Sequence, residues 1–175
     1  VMHEGELATR LGLTGIPVAA ETAIIDRDIR LVELTGARYH IHQISSGESV
    51  EAVRHAKARG LAVSCGVSAA HLMLNENDVE NYRTFAKLNP PLRSEDDRLA
   101  LVDGLADGTI DIVVSGHNPQ DAEAKRQPFA QAAYGTVGVE TLLSVLLSLH
   151  HAHGLDLATL IRSVSGHPAR LLDSD

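Results

Sequence analysis

The sequence predicts an α/β fold in which helices alternate with the strands of a parallel sheet. It amounts to about three βα units of a (β/α)8 TIM-type barrel, followed by C-terminal helices. Three observations carry this. Apolar residues at helical spacing alternate with short strand-like runs in the order α, β, α, β, α, β, α. The third strand-like run, Ile110 to Val114, is β-branched and apolar, the pattern of a strand buried on both faces. It stops at Ser115-Gly116-His117-Asn118-Pro119, turn formers carrying a polar cluster at the strand's C-terminal end. That end is where α/β folds place binding and catalytic groups.

With 175 residues, 44% of them hydrophobic, the chain has the length of one domain and enough apolar content for a core. A formal charge of −8 without basic clusters argues against nucleic acid or an anionic membrane as partner. The single cysteine, Cys65, excludes an internal disulfide and suits a reducing cytoplasm. No apolar run approaches the roughly 18–20 residues of a membrane span, and no basic segment followed by an apolar one opens the chain. Without Trp, the core is expected to be aliphatic. The chain begins at Val1 on sequence that reads as mid-domain, so a longer protein is expected.

Residues 1–17 read as loop-rich, with Gly at 5, 12 and 15. Ile24, Ile25, Ile29, Val32 and Leu34 then predict a helix from about Ala20 to Leu34, stopped by Gly36. Tyr39 to Ser45 is strand-like. Ser46 offers an N-cap for a helix over 48–59, with Gly60 as its stop. Leu61 to Val67 is a second strand, followed by a polar stretch over 75–81. Ser94 opens a helix to about Leu105, with Glu95, Asp96 and Asp97 in its first turn, where acidic groups favour the helix dipole. After the third strand, 121–138 reads as an irregular loop long enough to act as a lid. Helices are expected from Val139 to about His151 and from Leu157 to Val164. Three such strands make roughly three-eighths of a barrel that typically needs about 250 residues, and would expose two sheet edges.

Several residues could carry chemistry. His40 and His42 alternate along a strand onto one face, which suits a metal pair or local hydrogen bonds. His117 directly follows the third strand, and His71 follows the second by four residues. Asn89-Pro90-Pro91-Leu92-Arg93 holds an amide and a guanidinium on a stiff, extended segment. Together they fit a planar carboxylate or amide ligand, or else Arg93 pairs locally. His150, His151 and His153 end a helix, where imidazolium is favoured. Cys65, mid-strand among apolar neighbours, reads as an inert core thiol. There is no Gly-rich phosphate loop, Ser nucleophile elbow or Cys-x-x-Cys pair.

Longer segments add a resemblance. Met2-His-Glu-Gly5, Gly36-Ala-Arg-Tyr-His40, Ser49-Val-Glu-Ala-Val53 with Ala56-Lys-Ala-Arg-Gly60, and Asn89-Pro-Pro-Leu-Arg93 occur in that order. Asp107-Gly-Thr-Ile-Asp111, Tyr134-Gly-Thr-Val-Gly138-Val-Glu140 and Pro168-Ala-Arg-Leu-Leu172 come after them. Across nearly the whole chain the sequence resembles the C-terminal part of a dihydroorotase, of the cyclic amidohydrolase superfamily. The resemblance implies a metal-dependent (β/α)8 hydrolase interconverting dihydroorotate and N-carbamoyl-L-aspartate. It places the first barrel strands and their metal ligands upstream of Val1, so that residues 1–175 form one partial barrel domain.

The resemblance also marks departures. The family's ligand His on the sixth strand falls on Gln43, with His42 one residue away and expected on the opposite face. Of two histidines after the next strand only His71 is kept. The Asp that serves as metal ligand and general base falls on Gly116, and a substrate-contacting His falls on Gln120. Asn89 matches a substrate-binding Asn, leaving Asn89, Arg93 and Gln120 as substrate-binding candidates, with no catalytic residue and no intact metal ligand. Losing a general base alone costs about 10²–10⁴-fold.

The expected function is therefore a dihydroorotase-like, non-catalytic cytoplasmic protein that associates with itself or with aspartate transcarbamoylase. The alternative is an active hydrolase holding zinc around His71, His117 and upstream ligands. A third reading is a binding module that keeps a carbamoyl-aspartate-like ligand through Asn89 and Arg93.

Overall fold

The structure, a computed structural model, describes residues 1–174. Strands β1 (Met2–His3) and β2 (Gly15–Ile16) pair in parallel around helix α1 (Glu6–Leu11). Helix α2 (Ala19–Thr35) leads to β3 (Tyr39–Ile41), α3 (Gly47–Ala58), β4 (Val63–Ser68) and the short α4 (Ala69–Met73). Two 3-10 stretches, Glu76–Tyr82 and Thr84–Ala86, precede α5 (Glu95–Ala106) and β5 (Ile112–Val114). Helices α6 (Ala122–Lys125), α7 (Leu142–His153), α8 (Leu157–Val164) and α9 (Gly166–Leu171) complete the chain.

The expected alternation is present, and β3, β4 and β5 form one parallel sheet in chain order. The N-terminal segment is more ordered than its glycines suggest. Leu7 and Ala8 of α1 are buried in a small second core with Met2, Val79, Leu88, Leu92 and Phe129. That core draws on residues distant in sequence, so local turn formers gave no sign of it.

Helix ends follow local chemistry. Ser46 Oγ accepts from the Ser49 amide at 3.2 Å, and Ser94 Oγ from the Asp97 amide at 3.1 Å, each satisfying an otherwise orphaned donor. Gly36 and Gly154 close α2 and α7 in the left-handed conformation.

Strand β4 sets the layering. Val63, Cys65 and Val67 alternate onto the helix-covered face, where they join Ile41, Val113, Leu101, Leu105 and Leu160 in the main core. Ser64, Gly66 and Ser68 occupy the other face, in register with His40, Ile112 and Val114. The second face is therefore small and partly polar rather than uniformly apolar. At its head, Asp111 accepts from Lys57 Nζ and from the Cys65 amide, each at 2.8 Å, tying α3, β4 and β5 together. Burial pushes the Cys65 thiol up to about 12, which makes it unreactive.

Leu105 lies wholly inside this core, whereas Leu34 is 81% exposed. Leu105→Ala is expected to cost about 2–5 kcal/mol in urea denaturation, and Leu34→Ala less than about 0.5 kcal/mol.

Candidate functional site

The C-terminal ends of β3, β4 and β5 open onto one cavity of about 480 Å³. Its wall comprises His42 and Gln43 after β3, Ser68 and His71 at the β4–α4 junction, and Ser115 to Asn118 after β5. Leu88 and Asn89 close one side, and Tyr134 to Thr136 another. Hydroxyls, amides and imidazoles supply its polar groups; no Asp, Glu, Lys or Arg lines it among the described residues.

The structure places His71, His117, Asn89, Gln43 and Gly116 together here. His42 joins them, contrary to the expected alternation, because β3 ends at Ile41 rather than running to Ser45. Beyond that residue the two-residue period no longer applies. His40 is not drawn in with His42. It lines a separate cavity at the other end of the sheet and contacts Ser64 Oγ at 2.8 Å.

His71 is almost fully buried, and both ring nitrogens are engaged. Its Nε2 lies 3.0 Å from the Pro90 carbonyl, which can only accept, so Nε2 carries the proton. Its Nδ1, 2.7 Å from Ser68 Oγ, therefore accepts from the serine hydroxyl. Burial holds the imidazole below its usual range, favouring this neutral form. His117 is exposed at the rim, and its Nδ1 accepts from the Gly138 and Val139 amides at 3.2 and 3.3 Å.

Gly116 has φ +62°, and a Cβ placed there would lie 2.9 Å from Ser68 Cβ. Any side chain at 116 therefore collides with Ser68 on this backbone.

Two expected ligand contacts fall elsewhere. Gln120 does not line the cavity; its Nε2 donates to Asn118 Oδ1 at 2.9 Å. Arg93 also lies outside the lining. The residue is 3% exposed, with Nε donating to Ser45 Oγ at 3.1 Å and Nη1 to the Ile16 carbonyl at 2.6 Å. Glu21 lies 3.8 Å from Nη2 and in turn accepts from the Ser45 amide at 2.8 Å. The charge is thus committed inside the fold.

The segment expected as a lid is tightly fastened. Lys87 is buried, with Nζ donating to the Ala130 and Ala132 carbonyls at 3.1 and 2.7 Å and lying 4.6 Å from the centre of the Tyr134 ring. Lys125 Nζ donates to the Thr84 and Ala133 carbonyls at 3.0 and 2.8 Å.

Among the described residues, no three His, Cys, Asp or Glu side chains converge as metal ligands. The positions marked by the resemblance hold an amide at Gln43 and no side chain at Gly116. His71 has no nitrogen to spare. These residues do not fit the zinc that the resemblance implies. Ser68 is the residue that sequence reasoning missed. The signal was there as Ser-x-x-His across a strand–helix junction.

Comparison with known proteins adds the family. The family described as dihydro-orotase-like matches residues 1–49. A dihydroorotase of Desulforapulum autotrophicum is 47% identical over 99% of this chain and 41% of its own length. One of Anaplasma phagocytophilum is 42% identical over 98% of this chain and 38% of its own. This chain is dihydroorotase-like. It spans about two fifths of the length of these curated relatives. Among solved structures, the L-hydantoinase (dihydropyrimidinase) from Arthrobacter aurescens matches with a TM-score of 0.83 and 29% identity, over 90% of this chain and 36% of that one. The dihydropyrimidinase from Brevibacillus agri, at 22% identity and a TM-score of 0.82, shares the fold. The mixed α/β architecture is thus that of the hydantoinases. No helix among the described residues is long and apolar enough to cross a membrane.

The dihydroorotase-like chain's geometry leads to two expected outcomes. Arg93→Ala is expected to cost about 3–5 kcal/mol in thermal or urea denaturation, because it strands the nearly buried Glu21 carboxylate. A purely ligand-contacting arginine would leave stability unchanged. For His71, the folded state favours the neutral ring, while the unfolded chain takes up a proton below about 6.5. Stability should therefore fall as pH drops from 6.5 towards the lower value His71 has in the fold. Urea midpoints measured across that range should vary less in His71→Gln.

Proposed function

We propose that this chain forms part of a (β/α)8 barrel of dihydroorotase type, acting in pyrimidine synthesis without hydrolysing dihydroorotate itself. Its fold serves instead as a structural partner of aspartate transcarbamoylase. The barrel reading is supported by three parallel strands in chain order and by the match to about a third of a hydantoinase chain.

The observation that carries the loss of chemistry is Gly116. The resemblance puts there the aspartate that binds metal and takes a proton from the attacking hydroxide. Glycine can do neither, and a side chain there would begin 2.9 Å from Ser68 Cβ. The amide of Gln43 likewise replaces an imidazole ligand. A scaffold that keeps its sequence likeness while its site chemistry is replaced at several positions is maintained for a use other than hydrolysing dihydroorotate.

The test is dihydroorotate hydrolysis by the full-length, zinc-supplemented protein beside a variant carrying Gln43→His, Gly116→Asp and Gln120→His. No turnover is expected from the unmodified protein. Rates on the order of 1–10³ per second would overturn the reading. Sizing the transcarbamoylase with and without this chain tests the partner. A larger and more active assembly is expected with it; unchanged size and activity would remove the partner role.

A further inference from the structure

The contacts of Ser68 suggest a chemistry that needs no metal. A nucleophilic serine requires a base within hydrogen-bond reach, a third group that orients the base, and room for a reacting atom beside a donor. All three are present. Ser68 Oγ lies 2.7 Å from His71 Nδ1, and the Pro90 carbonyl, 3.0 Å from Nε2, fixes the tautomer that leaves Nδ1 able to accept. Ser68, His71 and Gln43 line the same cavity of about 480 Å³. That shared cavity is the room for a reacting atom, with the serine hydroxyl and an amide donor on its wall.

We propose that Ser68 is a nucleophile with His71 as its general base, and that the site takes small, uncharged acyl esters. The substrate class is set by the wall. With no charged Asp, Glu, Lys or Arg lining it among the described residues, and a volume of about 480 Å³, the cavity suits a small neutral group held by hydrogen bonds. Ser68 Oγ adds to the ester carbonyl carbon as its proton passes to His71 Nδ1, and Gln43 Nε2 donates to the resulting oxyanion. The bond to the alcohol then breaks, and the alcohol leaves with that proton. Water, giving a proton to the same Nδ1, attacks the Ser68 ester, and the acid departs as Oγ regains its proton.

This inference is independent of the dihydroorotase reading, since serine acylation is scored whether or not dihydroorotate turns over.

The experiment treats the full-length protein with p-nitrophenyl acetate, monitors p-nitrophenolate release, and locates the acetyl group by peptide mass spectrometry. Thermal melts of each variant accompany it. Acetylation at Ser68 is expected, absent in Ser68→Ala and slowed about 10²–10⁴-fold in His71→Gln. Gln43→Leu, which removes the amide donor and leaves Ser68 and His71 in place, should slow acetylation about 10²–10³-fold. The wild-type rate should fall at acid pH as His71 takes up a proton. Should His71→Gln unfold, Ser68→Ala and Gln43→Leu still decide, because the buried imidazole stays in place. Acetyl groups found only on other residues, or an unchanged rate in folded Ser68→Ala, would overturn the assignment.

Discussion

The buried pairing of Arg93 with Glu21 holds the site end of this molecule together. Glu21 lies on α2 and binds the Ser45 amide just beyond β3. Arg93 comes directly after the rigid 89–92 segment and reaches Ser45, Ile16 beside the N-terminal ladder, and His3 at 3.2 Å. Four stretches far apart in sequence therefore share one charged node with little access to water. In such surroundings a lone charge is costly and a paired, hydrogen-bonded one is tolerated, so geometry here is tightly specified. Asn89 takes its position from this node, and with it one wall of the cavity.

A second fixed point lies at the β4–α4 junction. The same His71 that reaches Ser68 also reaches the Pro90 carbonyl, so the strand mouth and the proline segment are held by one imidazole. The Lys87 and Lys125 ammonium groups, satisfied by main-chain carbonyls, secure the far side. Few cavity walls are left free to move relative to one another.

Much of the fold was legible in the sequence because its signals are local. Ser46, Ser94, Gly36 and Gly154 mark helix ends through groups within a few residues, and the alternation of helix and strand comes from apolar spacing. The length of β3 was not legible. It depends on pairing with β4 and on how the backbone turns after Ile41, and the error propagated into the wrong face for His42. Helix α1 was hidden for a similar reason, since Leu7 and Ala8 are buried by residues some 70 to 120 positions away. At the site, His71, His117, Asn89 and Gln43 were picked out and do converge. For Arg93 the sequence left ligand contact and local pairing open; only the fold reveals the carboxylate, hydroxyl and carbonyl that engage it. Ser68 escaped notice because a serine at a strand end is ordinary until its histidine is seen three residues on.

The left-handed backbone at Gly116 limits what substitution can do there. Residues with a Cβ adopt that conformation at a cost of about 1–2 kcal/mol, and here they would also meet Ser68. An aspartate placed at 116 would therefore strain the loop before it supplied a useful carboxylate. Backbone and neighbour would have to change together. Gly116 and Ser68 thus lock each other: neither position can be rebuilt on this loop without the other yielding.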